Sequence, residues 1–276
     1  MANRVRAFQI FYDAATRARL DPAFEPLDNS ANGRPDWYEY WPIRAFFARE
    51  ALEEDTLYGF FSPRFSGKTH LDGGRVREFA AAAADADIVT FPPHPCHGAC
   101  FFNVFEQGAN FLPGFQEVAQ EVIRELDPAF RLDQLCNDSR NTVFCNYFVA
   151  RPRFWREWRG LFERIFEAAE TRGSRLHELL NRPVRYAKDS GETKPAQMKV
   201  MFMERVPSLL LSSGAFRVHP HAPFSMPRSE RFQDRLPDLV ALDALKIAYT
   251  QTLDPTFVQL FVERRDHLLA ELFPEL

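Results

Sequence analysis

"YGFFSPRFSGKTHL" (residues 58–71) sets an apolar, β-rich run directly against a Gly67-Lys68-Thr69 triplet. A phosphate-cradling P-loop needs Gly-x-x-x-x-Gly-Lys-[Ser/Thr], so that successive backbone N–H groups turn onto the phosphates. Here Ser62 holds the place of the first glycine, Pro63 has no N–H to donate, and Arg64 and Phe65 fill the would-be cradle. Asp72-Gly73-Gly74 follows and favours a break where a P-loop would run on into a helix. The stretch is therefore read as a strand over 56–61. It delivers Ser62, Arg64, Lys68 and Thr69 into a loop at its C-terminal end, the edge where open α/β sheets bind ligands.

Working outward, residues 5–12 alternate in polarity and read as the first strand, followed by the polar loop "DPAFEPLDNSANGRPD" (21–36). Residues 37–52 read as a helix, 74–84 as a short Ala-rich helix, and "DADIVTF" (85–91) as a third strand leading into the loop "PPHPCHGAC" (92–100). A helix is expected over 113–126, a β-rich run over 141–150, and an amphipathic helix over 152–171 whose Trp155, Trp158, Phe162 and Ile165 mark a core-facing stripe. Residues 183–197 read as a polar loop. "MKVMFMERVPSLLL" (198–211) reads as a buried segment interrupted at Pro207, 217–237 as a Pro-rich linker, and 237–252 and 255–271 as terminal helices. Three early strands alternating with helices predict an α/β fold with a mostly parallel, Rossmann-like central sheet and helices on both faces. The expected division is an α/β domain over 1–216, with 217–276 as linker and helical extension packed on it.

The chain has 276 residues, 46% of them hydrophobic, enough for one sizeable core, with 28 phenylalanines and 20 prolines. A formal charge of −4 gives no global basic field for nucleic acid, so any phosphate recognition must be local. No apolar stretch reaches the length of a membrane span and the N-terminus reads as a strand, so a cytoplasmic setting is expected. Four cysteines in such a chain point to reduced thiols.

Several clusters carry possible chemistry. "HPCHGAC" (94–100) gathers His94, Cys96, His97 and Cys100, but a structural zinc site usually pairs two separated ligand clusters and no second one follows. A loop in which His97 packs or touches a ligand is the preferred reading. There is no Gly-x-Ser-x-Gly elbow for a serine hydrolase, and Cys145 sits in an apolar β-rich run. "DNSANGRPDWYEYWPIR" (28–44) packs Asp28, Asn29, Asn32, Trp37, Tyr38, Glu39, Tyr40 and Arg44 around a helix start, polar groups and aromatic faces suited to a sugar or nucleobase, or simply to anchoring a loop. Tyr12 and Asp13, at the end of the first strand, border the expected cleft; Asp13 is equally suited to capping the following helix. Glu204 and Arg205 lie in a strongly apolar segment and must find partners, either as a structural ion pair or with Glu204 turned to a cleft as an acid–base group.

The segments "WYEYWPIR", "GFFSPRF", "DADIVTF", "NTVFCNYFVARPRFW" and "MKVMFMERVPSLLL" together resemble, over about residues 5–212, a poorly characterised family of bacterial proteins of surface-polysaccharide synthesis. Their order is similar to nucleotide-sugar-dependent glycosyltransferases of the GT-A fold. The resemblance implies a sugar moved from a nucleotide-sugar to a glycan or lipid-linked acceptor, the latter leaving open a peripheral association with the cytoplasmic face of the inner membrane. It matches "FCNYFVARPRFW", with Asn146, to the acceptor side, where His97 and Arg205 are also assigned, and it matches Glu204 to the catalytic carboxylate. Tyr12, Asp13, Asn29, Glu39, Ser62, Arg64 and Lys68 then form the donor side. The departure is at the strand end: such transferases carry an Asp-x-Asp motif for Mg²⁺ or Mn²⁺ there, and this chain has Ser62-Pro63-Arg64-Phe65. Asp85 and Asp87 precede their strand and are expected at the opposite edge. No metal ligand is assigned, and Arg64 and Lys68 are expected to take the diphosphate charge. A carbohydrate- or nucleotide-binding module without catalysis is the alternative, and a metal-dependent hydrolase using His94 to Cys100 is a third reading.

Overall fold

The computed structural model describes residues 3–187, 193–225 and 230–273. Its eight strands are β1 (Arg4–Phe11), β2 (Glu25–Asp28), β3 (Thr56–Phe61), β4 (Ile88–Thr90), β5 (Phe148–Ala150), β6 (Pro183–Ala187), β7 (Thr193–Gln197) and β8 (Val218–Pro220). Six of them form one sheet in the order β2-β1-β3-β5-β4-β8, and β6 and β7 pair as a separate antiparallel ribbon. Within the large sheet only β5 runs against its neighbours. The fold is therefore α/β with a mostly parallel sheet.

The helices, in chain order, are α1 (Ala14–Arg17), α2 (Tyr40–Phe47), α3 (Phe65–Thr69), α4 (Gly73–Ala82), α5 (Pro95–Cys100), α6 (Val104–Phe111), α7 (Phe115–Leu126), α8 (Pro152–Glu170), α9 (Arg175–Leu180), α10 (Met198–Met203), α11 (Val206–Leu211), α12 (Glu230–Gln233), α13 (Leu236–Thr252) and α14 (Pro255–Leu272). Alternation along the strands splits the core in two. Phe8, Ile10, Tyr58 and Phe60 face one side, against α2, α7, α8 and α10, while Ala7, Leu57, Phe61 and Val89 face the other, against Phe65 of α3 and Val76 and Ala80 of α4. On the first side Trp155 packs edge-on to Phe60 at 5.2 Å between ring centres, and its indole N–H donates to the Tyr58 carbonyl at 3.0 Å. A third cluster, around Cys100, Phe101, Phe261 and Phe273, lies beneath α13 and α14.

The strands depart from the sequence reading at four places, and the expected loop over 92–100 contains α5. The polar loop after β1 contains β2, which pairs parallel with β1 and is held by the Arg6–Glu25 ion pair at 2.7 Å. The β-rich run over 141–150 yields a strand only from Phe148, because Cys145 and Asn146 both take left-handed backbone (φ 60° and 56°), which no strand accommodates. The polar loop over 183–197 becomes the β6–β7 ribbon. The expected linker contributes β8, whose Val218–Pro220 pairs with Ile88–Thr90. Tertiary pairing, not local propensity, decides three of the four. Among the described residues no helix is long and apolar enough to cross a membrane.

Candidate functional site

The C-terminal ends of β1, β3 and β4 share one edge, and the chain entering antiparallel β5 crosses it, with the Phe91 N–H donating to the Tyr147 carbonyl at 2.8 Å. A cleft of about 490 Å³ opens at this edge. Tyr12 and Asn29 line it from the ends of β1 and β2, Tyr38 and Glu39 from the chain before α2, and Ser62 and Arg64 from the end of β3. Five of these were expected on the donor side, and Tyr38, like the further lining residue Asn32, belongs to the 28–44 cluster read as suited to a sugar or nucleobase.

Each wall has a local cause. A buried network fixes the Tyr38–Glu39 wall: Lys199, itself 1% exposed, donates to Asp36 at 2.6 Å and to Asn181 at 2.8 Å, and Arg34 pairs with Asp36 at 2.8 Å. Burial alone would raise the Asp36 carboxyl, yet the Arg34 and Lys199 cations outweigh it and bring its pKa down to about 2. Trp37 is fully buried behind it, and Tyr38 then turns the chain with φ 49° and donates its hydroxyl to the Pro195 carbonyl at 3.0 Å. On the β3 side, Ser62 shares a 2.7 Å hydrogen bond with the Tyr147 hydroxyl, and Pro63 starts a bend into α3. The loop expected around Gly67-Lys68-Thr69 is thus a single helical turn, closed by His70 in left-handed conformation. Arg64 precedes it with an exposed side chain, and Lys68, half-buried, donates from Nζ to Cys145 Sγ at 3.2 Å.

Glu204 occupies the bend between α10 and α11. Pro207 cannot extend the helical hydrogen-bond ladder, so the helix stops, Glu204 closes α10 and Arg205 opens α11. The Glu204 side chain is half-buried, and among the described residues neither its carboxylate nor that of Glu39 has a hydrogen bond or ion pair. Burial pushes the Glu204 pKa above the ordinary carboxylate value, Arg205, Lys68 and Arg64 pull it down, and Glu39 adds to the rise; the net direction is up. Lys68 shows the converse. Burial would lower its pKa, but Cys145 and Glu204 leave it raised. Burial likewise takes the Cys145 thiol up to about 11, despite Lys68. Glu39 and Arg64 line the cleft, Glu204 and Lys68 do not, and the four groups lie within reach of one another's fields.

Other expected site residues are committed elsewhere. Asp13 caps α1: its carboxylate accepts from the Thr16 N–H at 2.6 Å and the Thr16 hydroxyl at 2.7 Å, which is the capping role, away from the cleft wall. Arg205 is buried and donates to the Val104 and Met201 carbonyls and to Gln107 Oε1, at 2.7, 2.6 and 2.6 Å, with its guanidinium over Phe115. Those contacts make it a structural clamp. His97 packs its ring against Phe111 and Phe273 in the third cluster and touches Gln107 through Nδ1 at 3.2 Å. Asn146 is 6% exposed and its side-chain oxygen has no hydrogen-bond partner. Flanking it, Cys145 meets Lys68 and Tyr147 meets Ser62, and neither lines the cleft itself.

The metal readings find no ligand set. Asp85 is exposed, and buried Asp87 accepts from the Arg217 N–H at 2.9 Å and pairs with Arg153, at the sheet edge opposite the cleft. Cys96 and Cys100 are buried in α5, where burial takes the Cys100 thiol up to about 12. Among the described residues no three His, Cys, Asp or Glu side chains gather as metal ligands. The chain matches no family model, no curated protein and no solved structure.

Proposed function

We propose that the protein is a glycosyltransferase that moves a sugar from a nucleotide-sugar donor to a hydroxyl of a glycan or lipid-linked acceptor. The observation that carries the reading is Glu204: a half-buried carboxylate at a helix break, without a hydrogen bond or ion pair among the described residues, outside the cleft lining but within the fields of Arg64 and Glu39, which line it. In this reading Tyr12, Tyr38 and Asn29 receive the nucleoside, and Arg64 and Lys68 receive the diphosphate. The bond between the anomeric carbon and the phosphate oxygen breaks with its electron pair leaving on the diphosphate, whose charge the two cations stabilise. The acceptor oxygen bonds to the same carbon, and its proton goes to Glu204 or, where Glu204 instead stabilises positive charge on the ring, to the departing diphosphate. Among the described residues no three His, Cys, Asp or Glu side chains gather to hold a divalent ion, and no step is routed through one.

The test is turnover of nucleotide-sugars by purified protein, followed as release of nucleoside diphosphate, beside nucleotide binding by the Glu204→Gln variant. Release by the wild type, lost in the variant while nucleotide binding persists, supports the transferase. Nucleotide binding with no release by the wild type assigns a binding module instead.

A further inference from the structure

Glu39 stands where its own helix could claim it and is not claimed. It holds the N-cap position of α2 but makes no side-chain cap bond there, and among the described residues its carboxylate has no hydrogen bond or ion pair. It is left to the cleft that it lines. Trp37 and Tyr40, on either side, are buried, so Tyr38 and Glu39 between them are held half-buried on one wall. Withdrawing a charged acceptor from water without giving it a donor is unfavourable, and a ligand that supplies the donors relieves it.

The rest of the lining narrows what that ligand is. Ser62 is engaged by the Tyr147 hydroxyl at 2.7 Å. Asn29 donates its amide N–H to Asn32 Oδ1 at 3.4 Å, which leaves the Asn32 amide N–H groups as donors to the cleft. Tyr12, 47% exposed, adds an aromatic face, and Ile10, Pro35 and Pro63 add apolar surface. The complement of this set is a planar molecule with two adjacent donors for a carboxylate and an acceptor beside them for an amide N–H. Among the common nucleobases only guanine has that edge, in N1–H, N2–H and O6. Uracil, cytosine and adenine each set an acceptor against one of the two carboxylate oxygens.

We infer that the cleft takes a guanine nucleotide, with Glu39 accepting from N1–H and N2–H of the base. The inference rests on the reading of this cleft as a nucleotide-sugar site and adds the base to it. The test is calorimetric titration of the full chain with GDP, 2′-deoxy-GDP, inosine diphosphate, UDP and ADP. GDP and 2′-deoxy-GDP should bind alike. Inosine diphosphate, which lacks the 2-amino group, should bind about tenfold more weakly or worse, the loss of one hydrogen bond to a charged acceptor, and UDP and ADP more weakly still. Glu39→Gln replaces one carboxylate oxygen by an N–H, so it should weaken GDP about tenfold or more and erase the preference for GDP over inosine diphosphate. The variant should melt with the wild type, since Glu39 makes no cap bond to lose. UDP or ADP binding as tightly as GDP, or a GDP preference that survives Glu39→Gln, would overturn the assignment and leave the transferase reading standing. A loss of affinity confined to 2′-deoxy-GDP would overturn it too, by placing Glu39 on the ribose. Failure of every nucleoside diphosphate to bind would remove both.

Discussion

At the residue scale Glu204 carries a carboxylate that burial holds at a cost. Glu204→Gln preserves shape while removing charge, so turnover should fall by about 10² to 10⁴ with donor affinity retained. The sign of the stability effect separates function from structure. A carboxyl whose folded pKa is raised contributes stability that is present below its unfolded value and lost as pH rises through the folded one. At neutral pH the Gln variant should therefore melt no lower than the wild type; a melting temperature several degrees lower, with turnover per folded molecule intact, would make Glu204 structural. Wild-type turnover should rise with pH through a pKa above the ordinary carboxylate range, as Glu204 ionises. The cations follow a different rule. Arg64→Ala and Lys68→Ala should each weaken nucleoside diphosphate binding by about 1.5–3 kcal/mol, one charge-assisted hydrogen bond apiece, as read by calorimetry. Unchanged affinity in both would remove the diphosphate from this edge.

At the scale of elements, local signals and tertiary pairing divide the work. The strand over 56–61 and the helix over 152–171 were legible because all six strand residues are buried and the Trp and Phe stripe repeats at helical spacing. β2 and β8 were not, since each is short and polar enough to read as loop and exists because a neighbouring strand offers it a ladder. The site was half legible for the same reason. Strand ends announce themselves, so Ser62 and Arg64 could be placed, and the mix of Asn32, Tyr38 and Glu39 marked the facing wall, although the positive-φ turn at Tyr38 left no signal in "WYEYW". Asp13 and Arg205 show the converse, since capping and burial claimed side chains that had the right chemistry for a site. The left-handed pair Cys145-Asn146 yields a sharper test. Glycine tolerates φ 56° without penalty, so Asn146→Gly should leave the melting temperature unchanged or slightly raised. If Asn146 holds the acceptor through its unpartnered oxygen, the same variant should raise the KM for acceptor; an unchanged KM would assign Asn146 to the turn alone.

At the scale of the whole molecule, the terminal helices are bound to the α/β body by buried charge. α13 carries Lys246, fully buried, whose ammonium donates to the Phe101 carbonyl at 2.9 Å, to that of Asn137 at 2.6 Å and to that of Gly98. One turn earlier Asp243 accepts from the Ser139 N–H at 2.8 Å, and Arg140 reaches Thr250 at 2.7 Å. These bonds tie α13 to the chain around α5 and to the segment between α7 and β5, the same segment that ends at Cys145 and Asn146. Lys246→Met keeps length and apolar bulk but leaves three buried carbonyls without a donor. Each stranded acceptor costs about 1–3 kcal/mol, so the variant should lose several kcal/mol of stability in chemical denaturation. The loss should also be local at first. The third aromatic cluster would open while the large sheet keeps its ladders, so hydrogen exchange should quicken in α13, α14 and α5 before β1 and β3. Uniform quickening across the sheet would mean that α13 and α14 fold as one cooperative unit with it. A saturating nucleoside diphosphate distinguishes the cleft from this region: at 100 times its dissociation constant it adds about 2.7 kcal/mol to the stability of the site that binds it. In Lys246→Met that gain should persist if only the terminal helices have loosened, and disappear if their detachment also releases the turn that carries Cys145 and Asn146.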